Sequence, residues 1–274
     1  MPDTRTPQDI AADYQAARDA NDASAMRRFQ NEEACLVLLT MLGRMASNPK
    51  SFVHGVALKG GMLMAGELRS PRASADIDFT SGHLKRVDPE EVLREVELAG
   101  RQFRVRQEGE PERTPGGEVI HLQFESLTDG GSAKIEISIR EDLVFAVRDA
   151  TFNVTDIGID PFSIPALAEV ELVSEKIRAL VQRAQPRDLF DLRLYLCESG
   201  WHLDPKDLAK AVDVKLQTGT RHKRWKADLW RANLDEISKN WESTLKEWVA
   251  PEHIPTFETA VGDVARRLKA LQLS

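Results

Sequence analysis

Two short stretches constrain this chain more than any others: Leu58-Lys59-Gly60-Gly61 and Ser74-Ala75-Asp76-Ile77-Asp78-Phe79. Val56-Ala57-Leu58 is a short apolar run that two glycines interrupt, a helical pattern starts at Met62, and Ala75–Phe79 alternates as a second strand. Residues two apart on a strand share a face, so Asp76 and Asp78 point one way while Ile77 and Phe79 point into a core. Neighbouring carboxylates repel unless a cation lies between them. Oxygen-only donors suit magnesium, which completes its shell with waters and substrate phosphates. Gly60-Gly61, at a strand-to-helix turn, lets backbone N–H groups approach a phosphate. Each motif has an ordinary reading when it stands alone: Asp-x-Asp as a solvated strand face, Gly-Gly as a turn. In this order they describe a site for a metal-bound nucleoside triphosphate.

The flanking sequence supplies a mixed framework. Residues 7 to about 48 read as helices, with Ala16, Met26, Phe29, Cys35–Leu39, Met41 and Leu42 at helical spacing and Asn31 as an N-cap. Arg69–Ser74 is a loop stopped by Pro71. Its Arg72 reads either as a surface arginine or as a phosphate contact beside Asp76. Asp88-Pro89-Glu90-Glu91 caps a helix that runs to Gly100. Strands are expected over Phe103–Gln107, Val119–Glu125 and Ala133–Arg140, with Pro115-Gly116-Gly117 and Asp129-Gly130-Gly131 as turns. In the last strand Ile135, Ile137 and Ile139 alternate with Lys134, Glu136 and Ser138. Glu136 is then either a solvated residue of an antiparallel strand or a third carboxylate beside Asp76 and Asp78.

After strand-like runs at Phe145–Val147 and Thr151–Val154, Pro161 to Pro165 reads as a connector. It divides residues 1–160, N-terminal helices plus an α+β core, from residues 161–274, a helical C-terminal domain. Leu167, Val170, Val173, Ile177, Leu180 and Val181 form the apolar stripe of a helix that carries Lys176 and Arg183 seven apart. A second helix begins after Pro186 with Asp188 and Asp191 on one face. Taken alone, these charges read as surface ion pairs and capping acids. Further helices are expected over about residues 204–216 and 258–271.

Composition narrows the function classes. A 274-residue chain with 42% hydrophobic and 30% charged residues can bury a sizeable core and is not a disordered segment. A formal net charge of −7 argues against a protein coated in positive charge for nucleic acid. The run Arg221-His222-Lys223-Arg224-Trp225-Lys226, with Trp230 beyond it, reads first as a solvated helix face with its tryptophans in the core, and second as an RNA-backbone contact. Cys35 and Cys197 are too far apart to suggest a disulfide framework or a zinc site, which fits a reducing cytoplasm. No apolar run is long enough to span a bilayer, and the first residues lack a signal-peptide pattern.

The ordered set Leu58-Lys59-Gly60-Gly61, Asp76-Ile77-Asp78-Phe79, Lys134-Ile135-Glu136-Ile137, Glu175-Lys176-Ile177-Arg178-Ala179-Leu180 with Arg183, and Arg187-Asp188-Leu189 with Asp191-Leu192 resembles the AbiEii/AbiGii toxin family of nucleotidyltransferases. The resemblance covers residues 55 to 195 and implies a polymerase-β-like nucleotidyltransferase core, a mixed sheet flanked by helices, followed by helices. It implies the toxin of a type IV toxin–antitoxin pair, a cognate antitoxin encoded nearby, and nucleotide transfer to the 3′ end of transfer RNA in some members. Position by position it implies Asp76, Asp78 and Glu136 as ligands of magnesium (or manganese). Lys59, Gly60 and Gly61 match the phosphate-side turn, Lys176 the triphosphate contact and Asp188 a later catalytic acid, while Arg183, Arg187 and Asp191 belong to the same motif. One departure stands out: many nucleotidyltransferases carry Ser after the first Gly, whereas this chain has Gly61, which removes a hydroxyl. The motifs leave open a small-molecule acceptor such as an aminoglycoside, a protein acceptor, or nucleotide binding without turnover.

Overall fold

The computed structural model describes residues 5–81, 88–100 (98–100 by backbone only), 104–139, 143–217, 222 and 224–273. The chain divides into two units, and each is described separately. The first comprises Met1–Asp142, Val147–Ala166 and Glu247–Ala250; the second comprises Leu143–Ala146, Leu167–Lys246 and Pro251–Ser274.

In the first unit two helices lead into a sheet. Helix α1 (Pro7–Asp19) starts at a capping box between Thr6 and Asp9, with Pro7 at its first position, and buries Ile10, Tyr14 and Ala17. Helix α2 (Ala23–Ala46) is capped by Asp22, not by Asn31, which lies inside the helix. No proline interrupts residues 23–46. The Asn31 amide finds its partner elsewhere, donating to the Glu247 carbonyl at 2.7 Å. With Ala34–Leu39, Met41 and Leu42 all buried, α2 is apolar around most of its circumference and packs against both α1 and the sheet.

The sheet holds, among the described residues, β1 (Ala57–Lys59), β2 (Asp76–Thr80), β3 (Arg106–Gln107), β4 (Glu112–Thr114), β5 (Gly117–Gln123), β6 (Ser132–Ser138), β7 (Arg148–Phe152) and β8 (Phe162–Ala166). Its order is β3-β5-β6-β2-β1-β8-β7, with β4 also on β5. Pairs β2–β6 and β1–β8 are parallel and the others antiparallel, so the sheet is mixed as expected. Helix α3 (Gly60–Gly66) follows β1 directly and begins two residues before the expected Met62. Helix α4 (Pro89–Gly100) follows Asp88, whose carboxylate accepts from the Glu90 N–H at 2.9 Å.

Two further expectations are corrected, and one strand was not foreseen. The Pro161–Pro165 stretch is not a connector: Phe162–Ala166 is strand β8, paired with β7 and at Leu58↔Ala166 with β1. Its residues alternate, with Phe162, Ile164 and Ala166 buried, but Pro161 just before it and Pro165 within it mask the period in so short a strand. Residues 145–147 are not strand, and β7 runs over 148–152. Strand β4 went unread because its three side chains are all exposed and polar, as an edge strand allows. Phe103 and Arg140, ends of two expected strands, lie outside the described residues.

The second unit is helical from Leu167 onward: α5 (Glu169–Arg183), α6 (Pro186–Cys197), α7 (Pro205–Gln217), α8 (Leu234–Lys239), α9 (Trp241–Leu245) and α10 (Phe257–Ala270). Of the α5 stripe, Val173, Ile177 and Leu180 are fully buried. The described part of the basic run (222 and 224–226) is not helical. Trp225 is only half-buried, its indole N–H donating to the Leu273 carbonyl at 2.8 Å, whereas Trp230 is core.

Ile164→Ala tests β8. Removing this fully buried side chain is expected to cost about 2–5 kcal/mol in urea unfolding. A change within about 0.5 kcal/mol, the scale of surface substitutions, would return the stretch to a linker.

Candidate active site

In the first unit the β-ladder aligns the acids. Parallel pairing sets Asp76 opposite Lys134 and Asp78 opposite Glu136, while antiparallel pairing sets Lys59 opposite Asp78. Since cross-strand partners share a face, Lys59, Asp78 and Glu136 form one row over β1, β2 and β6, with Asp76 and Lys134 in the next row. Leu58, Ile77, Phe79, Ile135 and Ile137 take the opposite face and are buried, which anchors the strands so that the acid face cannot slip in register.

Lys134, to which the sequence reading gave no role, lies among these carboxylates. Its Nζ is 3.8 Å from Asp76 Oδ2 and 3.3 Å from Glu136 Oε2, with side-chain exposures of 34%, 37% and 46% for Lys134, Asp76 and Glu136. Burial disfavours the ammonium, but Asp76, Glu136 and Asp78 together outweigh it and hold the Lys134 pKa above its usual value. Among the described residues, no three His, Cys, Asp or Glu side chains are gathered closely enough to hold a metal ion together. The donor set nevertheless fits a hard divalent cation: its members are carboxylate oxygens on one face, and that face already draws in an ammonium.

The glycine turn is bound to this face sterically. Gly60 has φ +75°, and a Cβ there would run into Asp78 Oδ2. A Cβ on Gly61 would meet the Arg72 guanidinium and stand 2.6 Å from Ser74 Oγ. The side chain missing at Gly61 therefore makes room for an arginine and a hydroxyl from the following loop. Arg72 is 5% exposed, so it is not a free surface arginine, and its Nη1 donates to the Ala73 carbonyl at 3.1 Å.

The second unit concentrates charge in its interior. Asp188 and Asp191 on α6 are fully buried, which overturns the reading of these acids as surface pairs. Lys176 Nζ is 2.8 Å from Asp191 Oδ2 and 3.5 Å from Asp188 Oδ1. Arg183 grips Asp188 with two parallel bonds, Nε to Oδ2 at 2.7 Å and Nη2 to Oδ1 at 2.8 Å. Lys176 and Arg183 oppose the two acids, which makes their burial tolerable. Both Asp188 oxygens are engaged by other side chains, so Asp188 has the geometry of a group that holds Lys176 and Arg183 in place. Arg187 is half-buried on the same helix. A second buried network went unread: Lys215 Nζ lies 2.7 Å from Glu171 and 3.1 Å from Glu175, while Glu171 also accepts the Val144 and Phe145 N–H groups. The spacing of Glu171 and Glu175, one helical turn apart, was its only signal.

A mixed sheet carrying an acidic strand pair beside a glycine turn, with a helical C-terminal portion, is the architecture of a nucleotidyltransferase. Solved structures agree on the fold. The chain is 17% identical to MenT4, a nucleotidyltransferase toxin from Mycobacterium tuberculosis H37Rv, over 98% of this chain and 90% of that one, with a TM-score of 0.66. It is 17% identical to JHP933 from Helicobacter pylori over 86% of this chain and 88% of that one, with a TM-score of 0.57. No curated protein matches. The family model described as nucleotidyl transferase AbiEii toxin, type IV toxin–antitoxin system, matches residues 45–263. The chain belongs to this family of nucleotidyltransferase toxins.

Two substitutions probe these arrangements. Gly60→Ala forces a left-handed residue to carry a Cβ and displaces Asp78; about 1–3 kcal/mol of stability should be lost, read as a lower unfolding midpoint. Asp188→Ala leaves Lys176 and Arg183 without a buried partner they now share, so a loss of about 3–5 kcal/mol is expected in chemical denaturation. A wild-type midpoint in either variant would contradict the geometry.

Proposed function

We propose that the chain transfers a nucleoside monophosphate from a nucleoside triphosphate to the 3′ end of transfer RNA, blocking translation. The observation that carries the reading is the row Lys59, Asp78, Glu136 with Asp76 beside it on one sheet face. In the reaction a hydroxyl attacks the α-phosphorus, a new P–O bond forms, the α–β bridging bond breaks and pyrophosphate leaves. Asp76 and Asp78, with Glu136 beside them on the same face, would hold magnesium, or manganese in its place, and the ion would neutralise triphosphate charge. Lys59 and the backbone at Gly60-Gly61 bind phosphate oxygens at the β1 end of the row, with Arg72 behind the turn. Glu136, half-exposed at the other end, accepts the proton of the attacking hydroxyl. For the helical unit the family resemblance implies Lys176 as a triphosphate-binding cation, its ammonium held by Asp188 and Asp191, with Arg183 and Arg187 as further phosphate-binding cations.

The family's toxin role supports an acceptor whose modification stops growth, and a tRNA 3′ hydroxyl is of that kind. It equally supports an antitoxin as partner. In the described part of the basic run Arg224 and Lys226 are exposed, and they offer cations to an RNA backbone. The cytoplasm supplies both substrates, and among the described residues no helix is long and apolar enough to cross a membrane.

The test is labelled nucleoside triphosphates with total tRNA, an aminoglycoside and a protein mixture as separate acceptors. The wild type should label tRNA. Asp78→Ala should lower labelling at least about a hundredfold, the scale of losing one group that stabilises transition-state charge. Equal labelling by the variant would end the carboxylate assignment, and label in the drug or protein arm would replace the acceptor.

A further inference from the structure

We propose that Lys134 is a tethered cation that limits the carboxylate face to one divalent ion in the absence of nucleotide. The proposal rests on reading Asp76, Asp78 and Glu136 as a metal-binding face. Lys134 stands in the same strand row as Asp76, and its ammonium spans from Asp76 Oδ2 at 3.8 Å to Glu136 Oε2 at 3.3 Å. It fills the edge of the face where those two carboxylates would otherwise share a cation of their own. Asp78 is left next to the Gly60 turn, on the side away from this bridge.

Charge counting points the same way. Three carboxylates against the ammoniums of Lys59 and Lys134 leave one negative charge, which a single divalent ion more than cancels. A second divalent ion would have to displace or crowd Lys134, at a cost set by like-charge repulsion a few ångströms away. A half-exposed ion pair contributes little to stability, so holding the fold together is a poor explanation for a lysine at this position. Lys134 is thus a positioning residue: it fixes how many metal ions the acids accept.

The experiment measures Mn2+ bound per chain on the full-length, nucleotide-free protein, by electron paramagnetic resonance and calorimetry. The wild type should bind one ion, and Asp78→Asn should lose it. Lys134→Ala should bind two, while Lys134→Arg, which keeps the charge, should return to one; thermal unfolding checks that both fold. A Lys134→Ala protein that still binds one ion, while Asp78→Asn binds none, overturns the role of Lys134 and leaves the metal face intact. Absence of Mn2+ binding in wild type and Lys134→Ala alike overturns the metal face and this proposal with it.

Discussion

Parallel pairing of β2 with β6 is the constraint on which the site depends. Parallel neighbours cannot be joined by a tight turn, so the chain between them makes a long crossover that includes α4 and strands β3 to β5. That detour brings Glu136 next to Asp78 from far along the sequence. The register is enforced from the other face, where Ile77, Phe79, Ile135 and Ile137 are buried. A slip by one residue would place those side chains in water and the carboxylates in the core. The register that buries the apolar side chains is therefore the one that keeps the carboxylates on the open face.

The two units handle charge differently. On the sheet, Asp76, Glu136 and Lys134 are partly exposed, so water can screen and exchange with whatever binds them. In the helical unit Asp188 and Asp191 are sealed from water and neutralised by Lys176 and Arg183. A buried network of that kind is costly to break and holds its members in one geometry. The first arrangement suits recruiting an ion and the second suits fixing a lysine.

Much of this was legible in the sequence because the relevant signals are local. The alternation Asp76-Ile77-Asp78-Phe79 and Lys134-Ile135-Glu136-Ile137 exposes both the face and the core by period alone. Capping chemistry at Asp88-Pro89 marked a helix start correctly. Failures came where tertiary context decides. Asn31 has the chemistry of a cap, but a continuous buried helix and the Glu247 carbonyl claim it. Strand β8 follows one proline and contains another, which hides it. Asp188 and Asp191 read as surface acids because charge carries no mark of burial; only the fold brings Lys176 and Arg183 onto them. Lys134 was seen on the right face, yet its place between two acids follows from pairing with β2, which no local pattern encodes.

The most direct measurement is a crystal structure of the full-length protein with Mn2+ and a non-hydrolysable nucleoside triphosphate, read by anomalous scattering. An anomalous peak at about 2.1 Å from oxygens of both Asp76 and Asp78, with phosphate oxygens completing its shell, is the expected result. A peak away from these two residues, or a triphosphate seated on another surface of the chain, would contradict a carboxylate face built by the β2–β6 register.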